Sequence, residues 1–578
     1  MQKPKLITKQ KLKFIPNLIN YQKTYDSFNY KEHYKQVNWL DKDHLNAAYA
    51  AMDANVLTEE RKNKVALYWH GPDDEQRKFT FQELTWLSSQ FANVLKTLGI
   101  DKGERVFFFL PRVPELYYGF LGTLKTGAIA GTLFAAFGHQ ALLDRLENSD
   151  AKILVTNSQL FPRVEKIWPQ LPQLKYILLT DALQNKNKKL LSLPNFMELA
   201  PQTTHICRTE PTDPAFMLYT SGTTGKPKGV IHQHLAIVHE YMTAKWVLDL
   251  QENDVYWCTA DPGWVTGIAY EILGSWANGA ASLIHAGRFD PDKWYQLIQD
   301  YKVNVWYTAP TAVRMLAAGG LKTVQKYDLS SLRHMASVGE PLNPDAIWWG
   351  LKAFGLPFHD NWWQTETGGI LIANYPCLAI KPGSMGKPFP GITADIVDDK
   401  GKSLPLLTEG HLAIKPGWPS MMQKIWRRPK KYQSYFNKGW YISGDQAYKD
   451  KDGYFWFIGR DDDVIKTAGE RVGPFEVESA LVAHPKIIEA GVIGKPDPMR
   501  GQIIKAFIVL AEGVKPGKTF EEEIKTFVKR YLAGHAYPRE IEIVDSLPKT
   551  RSGKIVRRFL RAKELGLPIG DTSTLEKF

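Results

Sequence analysis

One segment of the sequence carries residue types that can wrap phosphate oxygens. It follows the apolar run 215–218, which predicts a strand, and reads TSGTTGKPKG from Thr220 to Gly229. Backbone N–H groups, small hydroxyls and lysine ammonium groups at a strand end suit a polyphosphate. The P-loop pattern GxxxxGK[ST] does not fit, because Gly222 and Gly225 stand too close together and Pro227 replaces the hydroxyl residue. A P-loop kinase or ATPase is therefore disfavoured. After the loop, the pattern predicts a helix.

The elements that position this loop alternate between short apolar runs and amphipathic stretches. Strands are predicted at 65–68, 106–110, 152–156 and 176–180. Between the first two, a helix is marked by the capping box of Thr80 and Glu83 and by Gly99 after its end. This alternation predicts an α/β architecture with largely parallel sheets.

The texture of the sequence changes near residue 440. Runs 441–448 and 454–458 flank Asp452-Gly453, which predicts an antiparallel hairpin. A polar junction, 459–463, precedes a shorter cycle of elements with helices from Phe475 and over 521–531 and strands at 487–493, 503–510 and 540–544. We therefore predict a domain of residues 1–461 and a smaller α+β domain of residues 463–578, with the boundary at Asp462.

Composition limits the class of protein. Of 578 residues, 44% are hydrophobic and 23% charged, as in ordinary globular proteins. Cys207, Cys258 and Cys377 form no CxxC pair, so a disulfide framework is disfavoured and a reducing compartment is expected. The net charge of +12 favours anionic partners such as metabolites. The sequence lacks both a signal peptide and an apolar run long enough to span a membrane, so we expect a cytoplasmic protein.

Further motifs follow the loop in a fixed order. They are Trp363-Gln364-Thr365-Glu366-Thr367-Gly368, Tyr441-Ile442-Ser443-Gly444-Asp445, Gly459-Arg460-Asp461-Asp462-Asp463, Gly469-Glu470-Arg471-Val472 and Pro548-Lys549-Thr550-Arg551-Ser552-Gly553-Lys554. The set resembles the adenylate-forming superfamily of acyl-CoA synthetases, luciferases and peptide-synthetase adenylation domains. The resemblance implies ATP-dependent activation of a carboxylate as an acyl-adenylate, followed by acyl transfer to a thiol. It also implies a large domain of mainly parallel sheets with a distorted β-barrel-like part, and a small mobile domain that rotates about Asp462.

The same resemblance assigns roles to individual residues. Lys554 would bridge the acyl carboxylate and the α-phosphate, Glu366 would hold Mg²⁺, and Thr365 would donate its hydroxyl to a phosphate oxygen. Asp445 would accept the ribose hydroxyls, with Arg460 assisting there. The full set expected to bind ATP or AMP is Thr220, Ser221, Gly222, Thr223, Thr224, Gly225, Lys226, Gly339, Glu340, Pro341, Asp360, Asn361, Trp362, Gln364, Asp445, Arg460 and Arg471.

Sequence resemblance also implies the length of the acyl substrate and the identity of the thiol acceptor. The segments around Gly263, Ser337 and Trp363 are similar to those of acetyl-CoA synthetases. This implies a pocket sized for acetate or propionate, walled by Val265, Thr266, Val338 and Trp363. Gly469 and Arg471 match the segment beside the pantetheine of coenzyme A. Ala468 and Glu470 depart from the Ser and His usual there, so individual contacts to coenzyme A stay open.

Two groups of residues resemble metal ligands. His232, His234 and His239 could suggest zinc, but no carboxylate partner is evident and the segment is expected to turn helical, so structural or surface roles are favoured. Asp461, Asp462 and Asp463 cannot all face one metal ion in an extended chain.

Nucleic-acid binding by the basic run 424–432 is disfavoured, because no recognition motif surrounds it. A propionyl-CoA synthetase or another short- or medium-chain acyl-CoA synthetase, a carrier-loading adenylation module and a non-catalytic nucleotide-binding protein remain as alternatives. A lysine acetyltransferase and deacetylase acting on Lys554 are potential partners.

Overall fold

The computed structural model describes residues 6–8, 14–182, 187–220, 227–467, 470–532, 536–549 and 555–567. Its strands form four sheets. Two are large and mainly parallel, and the other two are five-stranded. Helices lie between the strands, so the predicted α/β architecture is confirmed.

The first sheet has nine strands. The six strands between Phe358–Trp362 and Val65–His70 in the sheet run parallel, and antiparallel strands complete both edges. Buried parallel strands need apolar residues on both faces, which explains runs such as that of Val305–Thr308. In spatial order the strands are Lys387–Pro388, Ile372–Ala373, Phe358–Trp362, His334–Ser337, Val305–Thr308, Val255–Cys258, Ala281–His285, Val65–His70 and Gln76–Thr80.

The second sheet has eight strands and carries the loop at its antiparallel side. Pro214–Thr220 pairs antiparallel with Lys228–Gln233, so a strand follows the loop. The helix predicted directly after the loop is therefore wrong; it begins later, at Ala236. The strand order is Lys424–Ile425, Lys228–Gln233, Pro214–Thr220, Ile129–Phe134, Arg105–Leu110, Ile153–Thr156, Tyr176–Leu179 and Leu190–Ser192.

The third sheet is antiparallel throughout and corresponds to the predicted barrel-like part. The predicted hairpin is present as Trp440–Lys449 and Phe455–Arg460. Register shifts interrupt two of the pairings, and such bulges increase local twist. The remaining strands are Ala394–Val397, Gly410–Ile414 and Phe436–Asn437.

The fourth sheet belongs to the C-terminal part of the chain. Its strands are Glu470–Val472, Ile465–Thr467, Gly501–Leu510, Ile487–Asp497 and Glu540–Ile543. Three helices, Pro474–Val482, Phe520–Tyr531 and Arg557–Leu565, accompany it, which gives the predicted α+β arrangement. The buried residues of its two hydrophobic clusters come from Ile465 onwards.

Helix ends follow their sequence signals. Thr80 and Glu83 form the predicted capping box of Phe81–Thr97, and Gly99 has a φ of +68°. A large hydrophobic cluster joins the three other sheets. The other α-helices are Tyr21–Ser27, Tyr30–His33, Ala47–Ala51, Glu59–Lys62, Pro114–Lys125, His139–Ser149, Phe161–Glu165, Leu193–Leu199, Ala236–Trp246, Gly274–Ala277, Pro291–Asp300, Pro310–Ala318, Gly320–Val324, Pro344–Phe354 and Pro429–Gln433, with a π-helix at Gly267–Leu273 and 3₁₀ turns at Tyr34–Gln36, Asp53–Leu57, Trp168–Gln170 and Thr365–Thr367.

Candidate active site

The motif around Glu366 lies where the buried strand Phe358–Trp362 ends. The chain then makes the 3₁₀ turn Thr365–Thr367. Gln364 N donates to Thr367 Oγ1 at 2.9 Å, which fixes the start of this turn. On the adjacent sheet, His232 Nε2 lies 2.8 Å from the carbonyl oxygen of Thr365. The turn therefore sits between the two large sheets.

Asp445 lies opposite this turn and gathers donors from two segments. Its side chain, in the strand Trp440–Lys449, is buried. Oδ2 accepts from Trp362 Nε1 at 2.8 Å and from Gln364 Nε2 at 3.1 Å, and Oδ1 accepts from Arg460 Nη1 at 3.0 Å. The charge of Asp445 raises the pKa of the Arg460 guanidinium. The Asp445 carboxylate is therefore held in one orientation, beside an arginine that stays positively charged.

Glu366 has a second set of partners. Its Oε1 accepts from the Tyr435 hydroxyl at 2.8 Å and lies 3.7 Å from Lys228 Nζ. Lys228 also donates to the Tyr435 hydroxyl at 2.8 Å. Burial lowers the pKa of Lys228, while the charge of Glu366 acts in the opposite sense. Lys228, the last lysine of the segment 220–229, therefore lies next to the carboxylate that is expected to hold a metal ion.

Two tyrosines link the hydrogen-bond partners of Glu366 to those of Asp445. The ring of Tyr435 stacks on that of Tyr441, with centroids 5.8 Å apart and planes 6° from parallel. Tyr441 donates to Gln364 Oε1 at 2.7 Å. Sequence reasoning missed Tyr435 because no motif contains it. Tyr441 stands in a quoted motif, although no role was assigned to it.

Four residues of the set expected to bind ATP or AMP lie on or just after two neighbouring strands: Gly339, Glu340 and Pro341 follow His334–Ser337, and Asp360 lies within Phe358–Trp362. Gly339 has a φ of +95°, a left-handed conformation that favours glycine. Glu340 pairs with Arg314 at 3.1 Å. Asp360 accepts from Leu342 N at 3.2 Å, and burial raises its pKa to about 8.

Two further members of that set have fixed surroundings. Asn361 accepts from Tyr307 and donates to Ser337 O at 2.8 Å, whereas Pro341 lines a small cleft with Arg314 and Arg557.

The residues expected around the acyl group share one hydrophobic environment. Val265 and Val338 are buried members of the large cluster, and Trp363 packs against it. Thr266 is buried and precedes the π-helix Gly267–Leu273.

Two tyrosines that no motif contains hold the indole of Trp363. The ring of Tyr270 meets this indole edge-on at a centroid distance of 5.1 Å. The Nε1 of Trp363 donates to the Tyr307 hydroxyl at 3.3 Å.

Several predicted residues lie outside the described part of the chain. They are Ser221, Gly222, Thr223, Thr224, Gly225, Lys226, Gly469 and Lys554, together with the side chain of Arg471. Thr220 is described at the end of its strand, and its buried Oγ1 has no hydrogen-bond partner in the described part of the chain. An orphaned hydroxyl at the base of the loop suits an anion.

The histidines have structural roles, as predicted, but the expected helix is wrong for His232. It lies in the strand Lys228–Gln233, with its two ring nitrogens near carbonyl oxygens of Thr365 and Ser420. His239 contacts the carbonyl of Ile370 at 2.8 Å. Both rings are buried, which lowers their pKa to about 4 and keeps them neutral.

Asp462 lies in a turn between the third and fourth sheets. Asp463 N donates to Arg460 O at 3.0 Å across it, and Arg561 Nη1 donates to Asp462 O at 3.2 Å. Arg561 belongs to the helix Arg557–Leu565, so the turn is tied to the last described helix.

Two parts of the chain match models of known protein families. Residues 54–426 match the AMP-binding enzyme profile, and residues 476–554 match the AMP-binding enzyme C-terminal domain. The chain belongs to the AMP-binding enzyme family. This confirms the superfamily inferred from the motifs.

Similar members of the AMP-binding enzyme family are named acetyl-coenzyme A synthetases. The protein of Bacillus subtilis is 55% identical over 97% of this chain and 98% of its own length. Those of Pyrobaculum arsenaticum and Methanothrix thermoacetophila are each 41% identical, over 93% of this chain and 86% of their own.

Solved structures with a similar fold include an acyl-CoA synthetase and a CoA ligase. A Brucella canis acyl-CoA synthetase is 33% identical with a TM-score of 0.74, covering 95% of this chain and 99% of its own. An anthranilate CoA ligase in complex with anthranoyl-AMP is 30% identical with a TM-score of 0.84, covering 93% and 99%. In the described part of the chain, no helix combines the length and apolar character needed to cross a bilayer.

Proposed function

We propose that this chain ligates acetate to coenzyme A through an acetyl-adenylate, with release of AMP and pyrophosphate. The observation that carries the proposal is that two separate motifs meet at one site, where Gln364 of the motif containing Glu366 donates to Asp445 of the other. The acetyl-coenzyme A synthetases at 55% and 41% identity support acetate as the acid.

Activation brings the acyl carboxylate to the α-phosphate of ATP, so the site must offset repulsion between anions. Glu366 suits Mg²⁺, because this ion is usually held by one or two carboxylates together with substrate phosphates. The ion would screen the phosphate charges when bound. Thr220, Thr365, Lys228 and the 221–226 loop would hold the phosphate oxygens, and Lys554 would bridge the acetate and the α-phosphate.

The nucleoside would bind beside these phosphates. Asp445 would accept the ribose hydroxyls while keeping its donors, since an ionised carboxylate has several lone pairs available. Arg460 would stay paired with Asp445 at the ribose. The adenine would lie against Gly339, Glu340, Pro341 and the strand end at Asp360, Asn361 and Trp362.

The acetyl methyl would enter the environment of Val265, Thr266, Val338 and Trp363. After adenylate formation, rotation about Asp462 would move residues 463–578 relative to residues 1–461 and bring Gly469 and Arg471 to the pantetheine. Coenzyme A would then attack the adenylate, and AMP would leave.

The decisive experiment is an acid panel of about two to eight carbons, since each methylene in a pocket changes kcat/KM roughly 10- to 200-fold. Pyrophosphate release is measured with and without coenzyme A, and thioester formation is followed in parallel. Acetate should give the highest kcat/KM and acetyl-CoA as product. A preference for propionate would support the alternative that the protein is a propionyl-CoA synthetase. Acyl transfer only to a carrier protein would support an adenylation module.

Two remaining proposals concern the cell. The chain would act in the cytoplasm on small-molecule substrates, without nucleic acid. Acetylation of Lys554 would remove the charge that bridges the two anions, so an acetyltransferase and a deacetylase would regulate the first half-reaction.

A further inference from the structure

Lys228, Tyr435 and Glu366 form a compact group at the phosphate side of the site. The tyrosine hydroxyl donates to Glu366 Oε1 and accepts from Lys228 Nζ, both at 2.8 Å. The side chains of Lys228 and Glu366 are each only 13% exposed. A largely buried carboxylate without a counter-charge is costly, so Lys228 balances Glu366 here.

The position of the Tyr435 hydroxyl is fixed from several directions. Its ring stacks on Tyr441, and Lys431 Nζ lies 5.0 Å from the ring centroid. Its backbone oxygen accepts from Ile442 N at 2.8 Å, which pairs the residue with the strand Trp440–Lys449. Because the ring is already held in one orientation, little side-chain entropy is lost when the hydroxyl bonds to Glu366.

Only one oxygen of Glu366 is engaged by these partners. Among the described residues, Oε2 accepts no hydrogen bond, whereas Oε1 receives the tyrosine and faces the lysine. The carboxylate is thus oriented, and one oxygen is left for a cation.

We propose that Tyr435 is a positioning residue for divalent-cation binding, and that Lys228 holds the place of the cation until metal and nucleotide arrive. The proposal rests on the role of Glu366 in the proposed function. When the cation binds Glu366, Lys228 turns to the phosphate oxygens, while the Tyr435 hydroxyl keeps the carboxylate in place.

Tyr435→Phe tests the positioning role by calorimetric titration of ATP without acetate or coenzyme A. The Mg²⁺ concentration that gives half of the gain in ATP affinity should rise about tenfold, because a hydrogen bond to a charged group is lost. Affinity in EDTA should stay within about twofold of wild type. Tyr432→Phe, on the neighbouring helix Pro429–Gln433, is the matched control and should behave like wild type. An unchanged Mg²⁺ dependence in Tyr435→Phe, or equal weakening with and without Mg²⁺, would overturn the role.

Lys228→Met tests the place-holder. Without the lysine, Glu366 lacks its counter-charge, so Mg²⁺ alone should raise the melting temperature of this variant. Wild type and Lys228→Arg, which keep the charge, should respond much less. Equal Mg²⁺ responses in Lys228→Met and wild type would rule out the place-holder.

Glu366→Gln separates this inference from the proposed function. It should lose the Mg²⁺-dependent gain in ATP affinity. If the gain persists, the metal assignment of Glu366 fails and the role of Tyr435 fails with it. If the gain is lost but Tyr435→Phe matches wild type, only the role of Tyr435 is wrong.

Discussion

Trp362 donates its indole N–H to Asp445 Oδ2 at 2.8 Å, across 83 residues of sequence. The bond joins the end of a parallel strand to the antiparallel hairpin. Both residues are buried, so the bond is shielded from water. It holds the carboxylate that we propose for the ribose in a single orientation.

Trp362→Phe should weaken ATP binding, because it keeps the aromatic ring and removes the donor. A hydrogen bond to a charged group contributes about 1.5–3 kcal/mol, and because this bond also exists in the free chain, that value sets an upper limit of roughly 10- to 150-fold on the rise in Kd. Calorimetry measures the change. Trp349→Phe is the control, since the Trp349 indole N–H has no partner in the described part of the chain. An unaltered Kd for Trp362→Phe would show that this bond does not order the ribose site.

Trp363→Gly should shift the preference towards longer acids. A tryptophan side chain buries roughly 150–250 Å², and its loss opens room for several methylenes. Butyrate and longer acids should gain about 10- to 200-fold in kcat/KM per methylene accommodated, while acetate loses packing. Phenylalanine at this position should shift the preference less. If acetate remains preferred in the same rank order, Trp363 is a core residue and does not set acyl length.

Lys554→Ala should separate the two half-reactions. One positive charge at about 4 Å contributes roughly 4 kcal/mol at an effective dielectric of about 20, before desolvation. Acetate-dependent pyrophosphate exchange should therefore fall steeply, while supplied acetyl-adenylate and coenzyme A still give acetyl-CoA. Homogeneous acetylation of Lys554 should act in the same way. Equal loss of both half-reactions, or full activity after acetylation, would contradict this role.

Asp462→Pro should impair thioester formation more than adenylation. Proline fixes φ near −65° and restricts the residue before it, within the turn closed by Asp463 N and Arg460 O. Thioester formation from supplied adenylate is compared with pyrophosphate exchange, and Asp462→Ala serves as the control that leaves φ free. Undiminished thioester formation in the proline variant would place the rotation elsewhere.

Glu240→Gln should stabilise the protein at alkaline pH. Glu240 is fully buried in the helix Ala236–Trp246, and neither of its oxygens has a hydrogen-bond partner among the described residues. Burial raises its pKa well above 4.5, so the folded chain keeps a proton that the unfolded chain releases. The associated stability is complete below pH 4.5 and declines as the pH rises towards the folded pKa.

Melting temperatures at about pH 5.5 and 8.5 provide the test, since the linkage acts above the unfolded pKa. The advantage of Glu240→Gln over wild type should grow with pH. Glu198→Gln, at an exposed position, should show no such trend. Parallel profiles for Glu240→Gln and wild type would mean that Glu240 does not resist ionisation.

Much of the chemistry was readable before any fold was known. The motifs at Thr220, Glu366 and Asp445 have residue types suited to phosphate, metal and ribose, and their order indicated the family. Hairpin and helix signals such as Asp452-Gly453 and the Thr80–Glu83 capping box were also reliable, because turn and cap geometry depends on residues close in sequence.

Tertiary structure decided what local patterns could not. The strand after the phosphate-type loop was expected to be a helix, because its apolar residues suit either element until strand pairing with Pro214–Thr220 selects one. Tyr435, Tyr307 and Tyr270 belong to no motif, and only packing brings them to Glu366 and Trp363. The sequence thus determined which chemical groups are present, whereas long-range packing determined their neighbours, because hydrogen bonds such as that from Trp362 to Asp445 join residues far apart in the chain.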